Sequence, residues 1–233
     1  MAEPGGMFDL TGKVALITGG NGGIGLGMAE ALAKSGARVC VWGRDPDKNA
    51  AAEIQLTALG GEALALACDV TDEAQVERAF AQTLERFGRI DGCFANAGMG
   101  GGGRAPFIER STEEWRRMLA VNLDGAFFTL RCVADHMVAR AKSGDPGGRL
   151  IATSSVAAVM GTARNEHYAA SKAGLVAMMN ALAIELGRYG VTANTLLPGY
   201  TVSEMTQGLM ENEKFENAVM SRLAIRRWGE AGD

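Results

Sequence analysis

Residues 13–25 read Lys13-Val14-Ala15-Leu16-Ile17-Thr18-Gly19-Gly20-Asn21-Gly22-Gly23-Ile24-Gly25 and decide the fold of this 233-residue chain. A short apolar run passes directly into a glycine-rich turn and then into a helical pattern. Glycines in such a turn let the backbone bend sharply and approach a pyrophosphate, whose charge meets the free N–H groups of the helix N-terminus. The strand, turn and helix together therefore predict a dinucleotide-binding segment.

Outward from this segment, short apolar runs alternate with helical patterns. The predicted strands cover residues 13–18, 38–42, 63–68, 91–95, 149–154 and 191–197. The predicted helices cover residues 24–35, 46–59, 72–87, 112–142 and 168–188. Such alternation implies a parallel sheet with helices on both faces. We predict a single α/β domain over residues 1–233 with a doubly wound, mostly parallel sheet of at least six strands, a Rossmann fold. The glycine-rich stretch 98–103 is predicted to be a mobile loop at a strand end.

Composition argues against several classes of function. A net charge of -4 and a pI near 5.4 disfavour a nucleic-acid surface. The N-terminus lacks the pattern of a signal peptide and no unbroken apolar run is long enough to cross a membrane, which predicts a cytoplasmic protein without membrane contacts. The four cysteines, Cys40, Cys68, Cys93 and Cys132, are predicted to be buried reduced thiols. Neither a metal-binding motif nor the G-x-S-x-G motif of a serine hydrolase occurs.

Tyr168 and Lys172 stand four residues apart in a predicted helix. This spacing places the phenol and the ammonium on one helical face, where the cation can stabilise a phenolate. An unperturbed tyrosine has a pKa of about 10, so a fixed positive neighbour would make it a more useful base. The same spacing is common on solvated helical faces, and the pair therefore needs support from the rest of the chain.

That support comes from motifs that follow one another in a fixed order. The chain resembles the classical short-chain dehydrogenase/reductase family over nearly its whole length. The resemblance rests on the turn T-G-x-x-x-G-x-G, on Asp69-Val70, on Ala95-Asn96-Ala97-Gly98, on Asn122, on Ser155 thirteen residues before Tyr168, and on Pro198-Gly199.

The resemblance implies an oxidoreductase that transfers hydride between a nicotinamide cofactor and a carbonyl or secondary-alcohol substrate. It implies that Tyr168 is the general acid and base, and that Lys172 lowers the tyrosine pKa and holds the nicotinamide ribose. Ser155 would donate a hydrogen bond to the substrate oxygen, and Asn122 would keep a water that links Lys172 to solvent. The alternative is a catalytically inactive dinucleotide sensor or scaffold with the same fold.

The resemblance also implies the residues that bind the cofactor. They are Gly19, Asn21, Gly23, Ile24, Gly25, Arg44, Asp69, Val70, Asn96, Ala97, Gly98, Tyr168, Lys172, Pro198, Gly199, Thr201 and Ser203. Ser203 stands where the family's commonest pattern has threonine.

The choice between NADP and NAD depends on the end of the second strand. NAD-preferring relatives carry a carboxylate there, and this chain has Gly43 followed by Arg44. A guanidinium can bind a 2'-phosphate through paired hydrogen bonds, which favours NADP over NAD. Two observations leave the choice open: Arg44 could be solvated and paired with Asp45 or Asp47, and Gly22 stands where many NADP-preferring relatives carry a basic residue.

Positions close to these motifs are candidates to face the substrate: Met99, Arg104, Val156, Ala157, Arg164, Asn165, His167, Tyr200 and Met205. They mix apolar and polar groups and do not define one substrate. His167 precedes Tyr168 and is expected on another helical face, at the pocket rim or at an interface.

The helices at 112–142 and 168–188 carry apolar residues on more than one face, among them Phe127, Phe128, Leu175 and Met179. This excess predicts contacts with partner helices, and the resemblance implies a homodimer or homotetramer. Family members commonly continue for another helix and a final strand after the position of Asp233, so the C-terminal strand is expected to be missing.

Overall fold

A computed structural model of the chain describes residues 6–101 and 105–233. Six strands form one sheet in the order β3-β2-β1-β4-β5-β6, and every neighbouring pair is parallel. The strands are β1 (Val14–Thr18), β2 (Arg38–Gly43), β3 (Ala63–Ala67), β4 (Gly92–Ala95), β5 (Gly148–Thr153) and β6 (Val191–Leu196). The predicted parallel α/β fold is confirmed, and each strand lies within one residue of its predicted position at either end.

Helices connect the strands and continue after the last one. The α-helices of the described residues are α1 (Gly23–Lys34), α2 (Pro46–Thr57), α3 (Glu73–Phe87), α4 (Thr112–Leu119), α5 (Gly125–Lys142), α6 (Ala157–Met160), α7 (Glu166–Leu186), α8 (Glu204–Met210) and α9 (Glu213–Met220). Asp45 caps α2 by accepting hydrogen bonds from the backbone N–H groups of Asp47 and Lys48, and Pro46 occupies the first helical position. The chain therefore enters α2 immediately after β2.

The core is divided between the two faces of the sheet. On one face, Ala29 and Ala33 of α1 and Ala52 and Leu56 of α2 pack against alternate residues of β1 and β2. On the other face, α3, α5 and α7 cover a larger cluster that includes Leu130. Because both faces are covered, the central strand β1 is buried along its whole length.

The predicted helix at 112–142 is interrupted. A π-helical turn at Ala120–Asp124 separates α4 from α5. Single π-helical turns inside α-helices are frequent at functional sites. Here the turn carries Asn122, whose side chain is fully buried.

The prediction that Leu175 and Met179 contact a partner is wrong. Both side chains are fully buried in the core of this chain, and Phe128 packs against the same core. Their helical face is covered because α7 contacts α4 and α5 as well as the sheet. Phe127 remains exposed, with 44% of its surface accessible.

Within the described residues, Glu166–Tyr189 is the segment that is long and apolar enough to cross a membrane, with a mean hydropathy of 1.3. This segment is α7 and the turn after it. Core helices of soluble proteins reach the same length and hydropathy. Leu175, Met179 and Leu186 of this helix belong to the core beneath the sheet.

Candidate active site

A cleft of about 510 Å³ opens at the carboxyl ends of the strands. It lies where the chain order of the strands reverses between β1 and β4, the position at which parallel α/β sheets bind ligands. Of the residues predicted from the sequence, the cleft is lined by Gly19, Asn21, Gly23, Ile24, Gly25, Arg44, Asp69, Val70, Asn96, Ala97, Gly98, Ser155, Tyr168, Lys172, Pro198, Gly199, Thr201 and Ser203. Asn122 lies behind the wall, and its neighbour Val121 reaches the cleft.

The glycine turn is held in place from the end of β4. The amide of Asn96 donates to the carbonyl oxygens of Thr18 and Gly19, at 3.0 and 3.3 Å. The Thr18 hydroxyl oxygen accepts from the backbone N–H groups of Asn96 and Ala97. These bonds tie the ends of β1 and β4 together, so Asn96 supports the turn as well as lining the cleft.

Several glycines of the turn have no room for a side chain. A Cβ atom at Gly25 would lie 2.2 Å from the carbonyl oxygen of Gly19, and one at Gly20 would lie 2.6 Å from Val41 Cγ1. Gly19 also has a φ of 64°, which favours glycine. The backbone of the turn is therefore packed as closely as a pyrophosphate-binding turn requires.

The end of β2 forms another wall of the cleft. A Cβ atom at Gly43 would lie 2.1 Å from Asn21 Nδ2 and 2.6 Å from Asn49 Oδ1. Those two amide atoms are hydrogen-bonded to each other at 2.7 Å. The position at which NAD-preferring relatives carry a carboxylate is thus closed by a pair of asparagines. Asn49 was not singled out in the sequence, because a polar residue within an exposed-looking helix gives no local signal.

Arg44 lines the cleft beside Gly43. The alternative of an ion pair with Asp45 or Asp47 finds no support, since the salt bridges of the described residues do not include Arg44. Asp45 instead uses its carboxylate to cap α2. Asp69 accepts from the N–H group and the hydroxyl of Thr71, which fixes the turn after β3.

Ser155, Tyr168 and Lys172 also line the cleft. The Ser155 side chain lies beside the Tyr168 phenol and opposes part of the rise in its pKa. The Lys172 ammonium lies 5.8 Å from the centroid of the Tyr168 ring and donates to the carbonyl oxygen of Thr153 at 2.8 Å. The four-residue spacing on α7 therefore brings the phenol and the ammonium together, with a serine from the end of β5 beside them.

Burial controls the protonation of this group. It raises the pKa of the Tyr168 phenol above its ordinary value, and the neighbouring Ser155 side chain opposes that shift. It also lowers the pKa of the Lys172 ammonium to about 8. Both shifts arise because a charged group loses hydration when it is buried. The expected lowering of the tyrosine pKa is thus not found in this structure, because burial raises the pKa and the contribution that opposes it comes from Ser155.

Asn122 fixes the segment that follows β4. Its Oδ1 accepts from the N–H group of Met99 at 2.8 Å, and its Nδ2 donates to the Met99 carbonyl oxygen at 3.1 Å. Nδ2 also lies 3.2 Å from the Ser171 hydroxyl. A Cβ atom at Gly98 would lie 3.2 Å from Asn122 Oδ1 and 3.3 Å from Lys172 Nζ. Asn122 and Lys172 therefore both approach the backbone at Gly98.

The segment after β6 closes the cleft. The Pro198 carbonyl oxygen accepts from the N–H group of Val156 at 3.1 Å, which joins this segment to the one carrying Ser155. Thr201 pairs with Gly229 in an isolated parallel bridge. The helix α8, which the sequence did not predict, begins just after Ser203, and Ser203 lies over the glycine turn at Gly23.

The residues predicted to contact the substrate do not all lie in the cleft. Met205 lines the cleft. Tyr200 packs edge-on against Phe215 and Trp228. The placement of His167 at the pocket rim or an interface is wrong, because only 2% of its surface is exposed. Arg104 lies outside the described residues.

The sequence did not identify Arg110, which holds the region next to Tyr168. Its guanidinium lies 3.2 Å from His167 Nε2 and donates to the carbonyl oxygens of Ala105 and Arg164, at 3.3 and 3.0 Å. It thereby joins the start of α7, and Arg164 just before it, to the segment at Ala105. The contacts with His167 and Arg164 link residues more than fifty positions apart, so no local pattern could have found them.

No group of three or more histidine, cysteine, aspartate or glutamate side chains that could hold a metal ion occurs in the part of the chain that the structure describes. The four cysteines are free thiols, and all but Cys132 are buried. Burial raises the pKa of Cys68 to about 11, so its thiol stays protonated at neutral pH.

The chain is similar to known proteins over most of its length. A family model described as short chain dehydrogenase matches residues 13–214. The L-rhamnose 1-dehydrogenase (NAD(P)+) of Azotobacter vinelandii is 33% identical over 96% of this chain and 87% of its own. The gluconate 5-dehydrogenase of Gluconobacter oxydans is 33% identical over 96% of this chain and 85% of its own.

A solved structure extends the comparison to three dimensions. It comes from Beutenbergia cavernae, is provisionally assigned as an NAD(P)-dependent gluconate 5-dehydrogenase, and contains NADP at low occupancy. It superimposes with a TM-score of 0.89 at 32% sequence identity, over 97% of this chain and 88% of the other.

Proposed function

Since the chain belongs to the short-chain dehydrogenase family, we propose that Tyr168 is the general acid and base of its reaction. The family membership makes the protein an NAD(P)-dependent oxidoreductase that transfers hydride between the cofactor and an alcohol or carbonyl substrate. The observation that carries the proposal is the Tyr168 phenol in the cleft, next to Ser155 and beside the Lys172 ammonium. No comparable arrangement would be needed in a sensor.

Tyr168, Ser155 and Lys172 have different roles in the proton transfer to and from the substrate oxygen. In reduction, the Tyr168 phenol gives its proton to the substrate oxygen, and in oxidation the phenolate takes a proton from the alcohol. The Ser155 hydroxyl donates a hydrogen bond to the same oxygen and stabilises the negative charge that develops there. The Lys172 ammonium favours the phenolate by its charge. The nicotinamide cofactor, when bound, supplies or accepts the hydride.

The glycine turn fits a dinucleotide because its backbone leaves no space for side chains at Gly20 and Gly25. The pyrophosphate would be held by the turn and the N-terminus of α1. Asp69 and Val70 would bind the adenine, and Pro198, Gly199, Thr201 and Ser203 would bind the nicotinamide. Lys172 would also hold the ribose next to the reacting ring. Asn122 acts behind them, by fixing Met99 and the backbone near Lys172.

NADP is the preferred cofactor in this proposal. The Asn21–Asn49 pair fills the space that a carboxylate at position 43 would need, and Arg44 lines the cleft beside it. A guanidinium next to the ribose attracts a 2'-phosphate, whereas a carboxylate would repel it. Initial rates with NADP and NAD test this part directly, and a strong preference for NAD would refute it.

The protein acts as a homodimer or homotetramer in this proposal. Supporting it are apolar side chains that stay exposed on neighbouring helices: Trp115 of α4, Phe127 of α5 and Ile184 of α7. Exposed apolar patches of this kind often mark contacts between subunits. Light scattering at micromolar concentration tests it, and a monomer would contradict it.

The cytoplasm is the proposed compartment, since four unpaired thiols suit a reducing environment. The substrate is a small carbonyl or alcohol, with no nucleic acid or membrane involved. A screen of ketones and secondary alcohols with both cofactors identifies it. L-rhamnose and gluconate belong in the screen because the relatives above are named for them. Turnover of any of these compounds would exclude the sensor alternative.

The central test is the variant Tyr168→Phe with the best substrate from that screen. Loss of the proton donor should lower kcat by about 10²–10⁴-fold, the usual contribution of general acid–base catalysis. The dissociation constant of NADP, measured by calorimetry, should change by less than about threefold, because the phenol supplies few of the cofactor contacts.

The matched control is Tyr189→Phe, which makes the same change outside the cleft, next to Arg188. It should keep kcat close to that of the wild type. A Tyr168→Phe enzyme with kcat within tenfold of the wild type would remove Tyr168 from its assigned role.

A further inference from the structure

A salt bridge joins two walls of the cofactor cleft. Lys48 lies in the first turn of α2, and Glu204 is the first residue of α8. The Lys48 ammonium nitrogen lies 2.7 and 2.6 Å from the two carboxylate oxygens of Glu204. Both residues line the cleft, although they are 156 positions apart in the chain. The pair therefore connects the wall beside Arg44 to the segment that closes the cleft.

The bridge stands next to the place where a phosphorylated ribose would lie. Lys48 is four residues after Arg44, and both line the cleft together with Gly22 and Gly23. Ser203, the residue before Glu204, is within 3.3 Å of a Cβ built on Gly23. Glu204 is thus held above the glycine turn, on the side that faces α2.

While Lys48 is paired with Glu204, the charged side chains around this salt bridge do not favour the binding of a phosphate. Arg44 and Lys48 are the cations of this wall, and Asp45, Asp47 and Glu204 are the carboxylates. Asp45 is fixed by its two hydrogen bonds to the N-terminus of α2. Lys48 is occupied by Glu204, and that hydrogen bond raises the pKa of its ammonium. Both side chains are substantially exposed, at 45% and 76%, so the pair is easily broken by a stronger partner.

Resting on the NADP preference proposed above, we propose that Lys48 is a second cation for the 2'-phosphate and that Glu204 competes with the phosphate for it. A phosphate carries more charge than a carboxylate and offers three strong acceptor oxygens, so it is the better partner for an ammonium. Binding of a 2'-phosphate would draw Lys48 away from Glu204. A cofactor without that phosphate would leave the bridge, and with it the link between α2 and α8, in place.

The test measures binding of two adenosine nucleotides by calorimetry on the full chain. Adenosine 2',5'-bisphosphate carries the 2'-phosphate, and adenosine 5'-monophosphate lacks it. The variant Glu204→Gln should bind the bisphosphate about threefold more tightly, because Lys48 is released from its ion pair. The variant Lys48→Gln should bind it about tenfold more weakly, because one charge-assisted hydrogen bond is lost. Binding of the monophosphate should change by less than about twofold in both variants.

The double variant separates competition from simple repulsion. If Glu204 acts through Lys48, then Glu204→Gln should give little further gain in the Lys48→Gln background. The matched control is Glu211→Gln, which removes a carboxylate from the other end of the same helix. It should leave both affinities unchanged.

The outcomes distinguish this inference from the proposed cofactor preference. If the wild-type protein binds both nucleotides equally well, the NADP preference fails and the inference falls with it. If the wild type prefers the bisphosphate, and Arg44→Gln removes that preference while Lys48→Gln and Glu204→Gln do not alter it, the preference stands and the inference is overturned. An equal gain from Glu204→Gln with and without Lys48 would also overturn the competition.

Discussion

Replacing Gly43 by alanine should destabilise the protein through one pair of amide side chains. The new Cβ atom would lie 2.1 Å from Asn21 Nδ2 and 2.6 Å from Asn49 Oδ1, where ordinary contacts begin near 3.4 Å. Asn49 cannot easily move, because its own Nδ2 donates to the carbonyl oxygens of Gly43 and Leu66. Asn21 must therefore swing out by more than an ångström, and the hydrogen bond between the two amides is lost.

The size of the effect follows from what is lost. Leaving the buried Asn49 Oδ1 without its donor costs about 1–3 kcal/mol. Residual crowding against Asn49 adds a cost at the lower end of the roughly 1–3 kcal/mol typical of overpacked sites. Together these give about 2–4 kcal/mol. In a domain of this size, each kcal/mol lowers Tm by roughly 2–4 °C, so Tm should fall by about 4–16 °C.

The assay is thermal unfolding by circular dichroism at one fixed protein concentration, because subunit association would otherwise shift Tm. Four proteins are compared: the wild type, Gly43→Ala, Asn21→Ala and the double variant. Removing the Asn21 amide makes room for the new methyl group, so the double variant should lose about 1–2 kcal/mol less than the sum of the single losses. Losses that add to within about 0.5 kcal/mol, or an unchanged Tm for Gly43→Ala, would refute the reasoning.

Three more predictions concern the turn, the buried lysine and the buried arginine. Gly25→Ala should abolish NADP binding measured by calorimetry, because its Cβ would lie 2.2 Å from the Gly19 carbonyl oxygen, whereas Gly22→Ala, with no atom within 4 Å, should retain it. The free energy of unfolding should rise between about pH 8 and 10.5, because the unfolded chain keeps the Lys172 proton after the folded protein has lost it. Thermal unfolding measured across this pH range should show a smaller rise for Lys172→Met. Arg110→Lys should raise KM more than it lowers kcat in steady-state assays. One ammonium cannot reach both the Ala105 and the Arg164 carbonyl oxygens that the guanidinium binds, so the segments next to Tyr168 should be held less firmly.

The strands could be predicted from the sequence because each is a short apolar run with a turn on either side. The predicted β2, residues 38–42, differs from the observed Arg38–Gly43 by one residue, and glycine at its end gave no reason to extend it. The π-helical turn at Ala120–Asp124 could not be predicted. Its residue Asn122 bonds to Met99 and Ser171, and these contacts exist only in the folded chain.

The spacing of residues within a single helix was enough to predict part of the site. The rest of the site depends on contacts between different elements, which the sequence does not show. The positions of Tyr168 and Lys172 on α7 follow from helical geometry alone. The apolar faces of the same helix led to the wrong prediction that Leu175 and Met179 contact a partner subunit. An apolar pattern shows that a helical face is buried, but it does not show whether the same chain or a partner covers that face. The absence of a carboxylate at Gly43 was visible in the sequence, but its cause, the paired asparagines, was not.

Burial favours the neutral form of both side chains: it raises the pKa of the Tyr168 phenol and lowers the pKa of the Lys172 ammonium. These two shifts limit the pH range in which the site can work. The phenol resists ionisation, while the ammonium loses its proton near pH 8. At neutral pH the free protein therefore holds a neutral phenol beside a cation, which is the state needed to donate a proton to a carbonyl. Oxidation needs the phenolate while Lys172 is still charged. Raising the pH above about 8 favours the phenolate but removes the charge that stabilises it, so Lys172 sets the upper limit of that window.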